Sequence, residues 1–309
     1  MADDSGEPGR LAGTARPAAG ENRVSTAGQV RYAAEWLELR EPADARARSG
    51  ELLAPLTAHL AQAPSATGRT VVHDLGCGTG SMGRWLAARL PGPQHWILHD
   101  RDPELLRLAA AGMPDTAADG SPVTVRTRQG DITQLRAADL DGASLVTASA
   151  LLDLLTADEV DAFATACVRA RCPALLALSV VGRVGLDPAD PLDTELTAAF
   201  NAHQRRVHGS RHLLGPDAAD AAARVFRRRG AQVWSRPSPW RLGAGQEALL
   251  RRWLTEWVAA AVEQQPELGP RADAYLRRRS RSCAAGRLRA VVHHGDLLAL
   301  PAAPGGTPV

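Results

Sequence analysis

The 309-residue chain contains no lysine, so all 36 of its basic residues are arginines. This absence excludes Schiff-base formation on a lysine, proton abstraction by a lysine and a phosphate-binding loop of the Walker type. Acidic residues number 34, and the formal net charge is only +2. So small a net charge gives no overall field that would attract nucleic acid or a membrane surface.

Cysteine and long apolar runs are also scarce. The four cysteines fall in neither a CxxC pair nor a zinc-ligand spacing, and they are Cys77, Cys167, Cys172 and Cys283. We expect free thiols in a reducing cytoplasm, and no metal site. No run of 18 apolar residues occurs, and the N-terminus has no apolar signal region, so we expect neither secretion nor a membrane span.

Changes in composition and apolar spacing along the chain predict its organisation. We predict a disordered tail over 1–28, a helical cap over 29–66, a core of alternating strands and helices over 67–184, a C-terminal half over 185–300 and a frayed tail over 301–309. The C-terminal half combines two strands with a helical lid at 185–216 and 243–284.

Short apolar and β-branched runs predict seven strands. They lie at 70–75, 95–100, 123–127, 144–148, 174–181, 232–235 and 288–294. The first five alternate with helical segments, which is typical of a doubly wound α/β fold with a mostly parallel, Rossmann-like sheet.

Helical spacing outside this alternation predicts the cap and the lid. In the cap we expect a helix over 30–39, an interruption at Pro42 and a second helix over 43–63. In the lid we expect a helix over 192–208. A strongly amphipathic helix over 246–264 carries one apolar stripe, formed by Leu250, Trp253, Leu254, Trp257 and Ala261.

A glycine-rich turn follows the first predicted strand. Asp74 ends the strand, and Gly76, Gly78 and Gly80 occupy alternate positions before a predicted helix over 81–90. Glycines at a strand–helix turn let backbone N–H groups approach a ligand closely, because no Cβ intervenes. The turn therefore predicts a cleft that binds a small cofactor.

Two cofactor fingerprints overlap in this turn. Residues 78–83 read GxGxxG, the dinucleotide pattern, whereas residues 74–80 read DxGxGxG. In a dinucleotide fold the first glycine closes the turn directly under a pyrophosphate. Here Gly76 already closes the strand, and the preceding carboxylate of Asp74 would repel a pyrophosphate but favour a cationic ligand. The second fingerprint is therefore the better interpretation.

At these residues the chain resembles the class I methyltransferases that use S-adenosylmethionine. The resemblance covers about residues 70–182 and rests on the turn 74–80, on Asp100 at the end of the second strand and on Asp131 after the third. It implies a seven-strand sheet, with Asp100 binding the ribose hydroxyls and Asp131 accepting from the adenine amine.

Further residues are expected to line the cofactor. They are Arg101 beside Asp100, Ile132 beside Asp131, Ser149 after the fourth strand and Tyr32 in the cap. Two acidic residues have structural alternatives as well. Asp102 precedes Pro103 and is a good helix N-cap, and Asp131 could cap a short helix.

An acidic residue and several histidines are the candidates for the site of a methyl acceptor. The segment after the fourth strand lacks the Asn-Pro-Pro-Tyr type motif of the resembling DNA and glutamine N-methylating enzymes. It contains Asp153, which could steer an acceptor, form an ion pair or cap a helix. Among the histidines, His203 is the best candidate for a general base. Its alternative role is that of a solvated residue on a polar helix face. For His293 and His294 we expect structural or surface roles.

Arginine runs at 227–229 and 277–279 are interpreted as solvated helix faces, since no aromatic residues are interleaved with them. The sequence thus predicts an enzyme that transfers a methyl group to O or N of a small-molecule acceptor by in-line displacement. The alternatives are methylation of RNA or another nucleic acid, and a non-catalytic protein that binds S-adenosylmethionine. The oligomeric state is left open.

Overall fold

The computed structural model describes residues 33–62 and 67–302. The predicted tail over 1–28 and the candidate Tyr32 lie outside these residues. So does most of the predicted C-terminal tail.

A mixed sheet forms the centre of the molecule. Its eight strands are β1 (Thr70–Leu75), β2 (Gln94–Asp100), β3 (Val123–Gln129), β4 (Leu145–Ser149), β5 (Ala174–Asp187), β8 (Gln232–Pro237), β9 (Trp240–Leu242) and β10 (Arg289–Leu300), while β6 (Val207–His208) and β7 (Arg211–His212) form a separate two-stranded sheet. The order across the sheet is β3-β2-β1-β4-β5-β10-β8, and β9 pairs with β10. Strands β1 to β5 run parallel, while β10 runs antiparallel to its three partners, β5, β8 and β9. The predicted doubly wound, mostly parallel fold is confirmed.

Nine α-helices surround the sheet within the described residues. They are α1 (Ala34–Ala47), α2 (Leu53–Gln62), α3 (Ser81–Ala87), α4 (Pro103–Gly112), α5 (Ala157–Arg169), α6 (Asp193–Gln204), α7 (Ala218–Arg228), α8 (Glu247–Gln264) and α9 (Gly269–Ala284). Helices α2, α3 and α4 contribute to one apolar layer, and α5 and α7 to a second. A third cluster joins α1, α6, α8 and α9 to β9 and the outer half of β10, which places a helical body beside the carboxyl edge of the sheet.

The predicted break at Pro42 is wrong, because α1 runs through this residue to Ala47. A proline inside a helix removes one N–H donor and so leaves one carbonyl without its helical partner. Pro42 and Glu38, the residue that carries this carbonyl, are both exposed, so water can serve the freed oxygen. The chain instead leaves the helix at Arg48, which is extended.

Strands β5 and β10 extend beyond their predicted ends to form a long antiparallel arm. The last strand was predicted to end at residue 294, yet Asp296 is buried in mid-strand. Its carboxylate accepts the N–H of Leu178 at 2.8 Å and the N–H of Ser49 at 2.7 Å. The first of these bonds satisfies the N–H of Leu178, which lies at a bulge in β5 and has a φ of +57°.

The lid also differs from its prediction. Helix α6 ends at Gln204, and the hairpin β6–β7 follows it where the helix was expected to continue to residue 208. The predicted solvated face at 277–279 is wrong for Arg279, which is buried and contacts Asp193 at 2.6 Å. The amphipathic stripe of α8 is buried as predicted.

We expect Phe226→Ala to lower the free energy of unfolding by about 3–5 kcal/mol. Phe226 is 1% exposed and packs edge-on against Phe163 with ring centroids 6.1 Å apart, so the truncation leaves a cavity between α5 and α7. Urea denaturation measures the change. The neighbouring exposed Arg227→Ala is the control, and equal stability of the two variants would contradict this packing.

Candidate active site

The glycine turn lies at the carboxyl edge of the sheet, directly under the cap. Gly78 and Gly80 have φ values of +56° and +87°, which disfavour any residue with a side chain. A Cβ at Gly78 would lie only 3.0 Å from Cδ1 of Leu37 in α1. The turn therefore requires glycine both for its conformation and for its close contact with the cap.

Asp74 is buried at the end of β1 with one oxygen unsatisfied. Its Oδ1 accepts a hydrogen bond of 2.7 Å from the hydroxyl of Thr147, while Oδ2 has no hydrogen-bond partner among the described residues. Burial raises the pKa of Asp74 to about 7, although the Thr147 bond and the charge of Arg48 oppose this shift. The free oxygen could accept from a donor, and a cationic donor would favour the ionised carboxylate.

Asp100 and Asp131 are fixed by backbone groups at the ends of β2 and β3. Asp100 accepts the N–H of Gly78 and the N–H of Asp102, one on each oxygen and both at 3.0 Å. Asp131 accepts the N–H and the hydroxyl of Thr133 on Oδ1 and caps a short 3₁₀ turn. Since an ionised carboxylate has about four acceptor positions, both retain capacity for a ligand.

The alternative role of Asp102 is confirmed, because its side chain accepts the N–H of Glu104 at 2.9 Å and caps α4. Asp131 combines a capping role with a place in a cleft. The predicted N-cap signals were thus correct in both cases.

A cleft of about 410 Å³ brings most of the predicted cofactor residues together. Its lining includes Gly76, Gly78, Asp100, Arg101, Asp131 and Ile132. A recess of about 60 Å³ adjoins it and contains Asp74 and Ser149 together with Arg40, Thr79 and Ser81. Gly80 lines neither space and instead precedes α3, where its φ value permits the turn.

One face of α1 supplies site residues that the sequence interpretation missed. Glu41 binds Arg84 at 2.7 Å, and Arg84 also donates to the carbonyl of Thr79 in the glycine turn. Asp44 accepts from Arg40 and from the indole N–H of Trp240, both at 2.9 Å. The available signal was a row of polar residues at helical spacing, three or four positions apart, which we did not interpret as an inward face.

Arg48, at the end of α1, is buried beneath the recess. Its guanidinium donates to the hydroxyl of Ser81 at 2.9 Å and to that of Ser149 at 3.2 Å. Burial lowers the pKa of Arg48, and the carboxylates of Asp44, Asp74 and Asp296 oppose this shift. Ser149 is therefore engaged by the protein itself, although it was predicted to contact a cofactor.

A second cavity of about 310 Å³ lies between the sheet edge and the helical body. Five aromatic residues line it: Trp36, Phe200, Trp240, Trp253 and Trp257. Ala150 follows β4 and lines this cavity, the cleft and the recess, so the three spaces meet there. Its φ of +52° is unusual for a residue with a side chain, and such strain often occurs at functional sites.

Both predicted catalytic candidates line the aromatic cavity. Burial raises the pKa of Asp153 to about 6, so its carboxylate can accept a proton near neutral pH. Burial and the charge of Arg206 lower the pKa of His203, and its Nε2 lies 3.1 Å from a carboxylate oxygen of Glu263.

His294 also lines this cavity, whereas the sequence suggested a structural or surface role. It is 5% exposed, and its ring centroid lies 5.2 Å from that of Trp240. Burial, with the charge of Arg40 second, lowers the pKa of His294 to about 3 and keeps the imidazole neutral. The position of β10 beside β5 brings this histidine to the site, which a strand-end assignment did not reveal.

All four cysteines are buried and unpaired. In the part of the chain that the structure covers, no three His, Cys, Asp or Glu side chains are grouped so that they could hold a metal ion. Over the same part, no helix has the length and apolar character needed to cross a membrane.

Comparison with known families gives one match, over part of the chain. The model of a family described as a methyltransferase domain matches residues 72–173, about a third of the chain. No curated protein sequence matches the chain.

The chain is also similar to solved structures of low sequence identity. A SAM-dependent methyltransferase from Geobacter sulfurreducens, in complex with S-adenosyl-L-homocysteine, is 18% identical, with 87% of this chain and 98% of that one covered and a TM-score of 0.42. The cyclopropane synthase MmaA2 from Mycobacterium tuberculosis is 13% identical, with 80% and 83% covered and a TM-score of 0.40. An O-methyltransferase family protein from Burkholderia thailandensis is 14% identical, with 82% and 56% covered and a TM-score of 0.41.

We expect Arg48→Ala to lower the free energy of unfolding by about 3–5 kcal/mol at pH 8, because buried carboxylates lose their compensating charge. Urea denaturation at that pH keeps Asp74 largely ionised. Arg46→Ala, an exposed position on the same helix, should change stability little and serves as the control. A loss at Arg48 no larger than the loss at Arg46 would show that this buried charge does not hold the cap.

Proposed function

We propose that this chain, whose residues 72–173 match the model of a methyltransferase domain, transfers a methyl group from S-adenosylmethionine to an oxygen or nitrogen of a small acceptor in the aromatic cavity. The observation that carries the proposal is the unsatisfied Oδ2 of Asp74, buried beside a cleft whose other end holds Asp100 and Asp131. A cofactor with an ammonium at one end and an adenosine at the other matches this distribution of acceptors.

The recess suits the amino-acid end of the cofactor. Asp74 would take the ammonium, because its free oxygen lacks a partner among the described residues. Arg40 and Ser81 line the same recess and would serve the carboxylate. The N-terminus of α3 begins at Ser81 and adds its positive dipole end.

The cleft suits the adenosine end. Asp100 would accept from the ribose hydroxyls with the lone pairs that its backbone partners leave free. Asp131 would accept from the adenine amine, and Ile132 and Leu105 provide apolar contact in the same cleft. Each group of the cofactor thereby meets a complementary side chain.

When bound, S-adenosylmethionine supplies a methyl group on a positively charged sulfur. The protein's own contribution is positioning, since holding the acceptor in line with that methyl removes much of the entropic barrier. The cap and helices α6 and α8 enclose the aromatic cavity and limit access of water to the acceptor. Asp153 takes the proton when the acceptor has to lose one, because its raised pKa suits a general base.

We place the protein in the cytoplasm. The support for this location is the set of four unpaired thiols, which suit a reducing compartment.

We expect Asp100→Ala to weaken binding of S-adenosylhomocysteine by about 10- to 100-fold, the equivalent of losing charge-assisted hydrogen bonds. Isothermal titration calorimetry measures the dissociation constant. Asp141→Ala, an exposed carboxylate outside both cavities, is the control and should bind like the wild type. An unchanged dissociation constant for Asp100→Ala would reject its ribose role, and uptake of NAD⁺ in place of the nucleoside would overturn the proposed function.

We expect the affinity for S-adenosylhomocysteine to rise with pH up to about 7 and then to level off. Only the ionised Asp74 attracts an ammonium, and burial raises its pKa to about 7 in the free protein. Below that pH the carboxyl group of Asp74 must lose a proton when the ligand binds, and this lowers the affinity about tenfold per pH unit. Titrations from pH 5.5 to 8.5 should give this profile for the wild type, whereas Asp74→Asn should bind weakly with little pH dependence. Parallel profiles for the two proteins would exclude Asp74 as the ammonium site.

A further inference from the structure

The walls of the second cavity select a flat ligand. The rings of Trp253 and Trp257 stack with centroids 5.4 Å apart and an interplanar angle of 17°. Those of Trp36 and Trp240 meet edge to face at 6.5 Å. Such walls favour aromatic ligands over saturated ones of equal size, because ring pairs have preferred geometries. At about 310 Å³ the cavity lies within the range of small-molecule sites.

The same walls disfavour a cationic ligand. The guanidinium of Arg40 lies 5.1 Å from the ring centroid of Trp240, and that of Arg252 lies 5.1 Å from the centroid of Trp36. Both indoles therefore already hold a cation. An ammonium that approached them would meet two positive charges at close range.

Several charged groups near the cavity compensate one another within the protein. Arg40 pairs with Asp44 at 2.9 Å, Arg211 with Glu159 at 2.6 Å, and Arg252 with Glu256 at 3.0 Å. These pairs leave Asp153 as the lining carboxylate without an ion pair among the described residues.

Arg101 and Arg206 line the cavity without a carboxylate partner among the described residues. Arg206 donates from Nη1 to the ring of His203, with Nδ1 at 2.6 Å. Burial and the charge of Arg206 lower the pKa of His203, which favours a neutral ring beside this guanidinium. The lining thus carries two uncompensated guanidinium groups against one carboxylate, and guanidinium recognises carboxylates in a planar, bidentate manner.

We propose that the acceptor is a planar aromatic compound that carries a carboxylate. Its ring lies against the tryptophans that line the cavity, and its carboxylate contacts Arg206 and Arg101. This inference rests on the proposed function, since it names the class of molecule that the methyl transfer would modify. Recognition of the anion orients the ring, so that a hydroxyl or amino substituent can face Asp153.

The test is calorimetric binding of three compounds to protein saturated with S-adenosylhomocysteine. They are 2-naphthoate, the cationic naphthalen-2-ylmethanamine and the saturated anion cyclohexanecarboxylate. We expect 2-naphthoate to bind at least about tenfold more tightly than the other two. Arg206→Ala should weaken its binding by about 10- to 100-fold, the size of a lost charge-assisted contact.

Arg205→Ala is the matched control, because this exposed arginine pairs with Asp217 and does not line the cavity. It should bind 2-naphthoate like the wild type, and both variants should retain wild-type affinity for S-adenosylhomocysteine. Failure of 2-naphthoate to bind, equal binding of the cation, or an unchanged affinity in Arg206→Ala would overturn the inference. If S-adenosylhomocysteine itself does not bind, the proposed function fails, and titration of 2-naphthoate alone still tests the cavity.

Discussion

The buried charge of Arg48 is the interaction on which the rest of the structure depends. Arg48 is 5% exposed, its guanidinium donates to Ser81 and Ser149, and the charges of Asp44 in the cap, Asp74 in β1 and Asp296 in β10 oppose the lowering of its pKa by burial. A charge at this depth is tolerated only when it is compensated, so the three elements must stay together. Asp296 also accepts the backbone N–H of Ser49, so the chain leaving the cap is tied to the sheet at two successive residues.

The buried Arg48 and the carboxylates around it explain why the cap packs over the cleft. The cap meets the glycine turn through Glu41 and Arg84, and it meets the aromatic cavity through Arg40 and Trp240. The cleft and the aromatic cavity share Ala150 at their junction. A methyl group presented there would lie between an acidic, polar site and an aromatic one, and the cap shields both from water. Methyl transfer needs this kind of enclosure and alignment more than it needs reactive side chains.

The fold and the acidic residues at the edge of the sheet could be predicted from the sequence, because local chemistry determines them. The run from Asp74 to Gly80 combines residue types that suit a single backbone path, and Asp102 before a proline is an N-cap by stereochemistry. What it could not predict depends on tertiary contact. Pro42 reads as a helix breaker, but the carbonyl that it frees belongs to the exposed residue Glu38, and the polar face of α1 becomes an inward face only because the sheet supplies partners. His294 lies in the cavity because of how β10 pairs, and spacing alone does not show that pairing.

The most direct test of the account is a crystal structure of the protein with S-adenosylhomocysteine. The account predicts the ammonium within hydrogen-bond distance of Asp74 Oδ2, the ribose at Asp100 and the adenine beside Asp131, with the sulfur facing Ala150 and the aromatic cavity. A nucleoside bound elsewhere, or one bound here with Asp74 Oδ2 still lacking a partner, would contradict it.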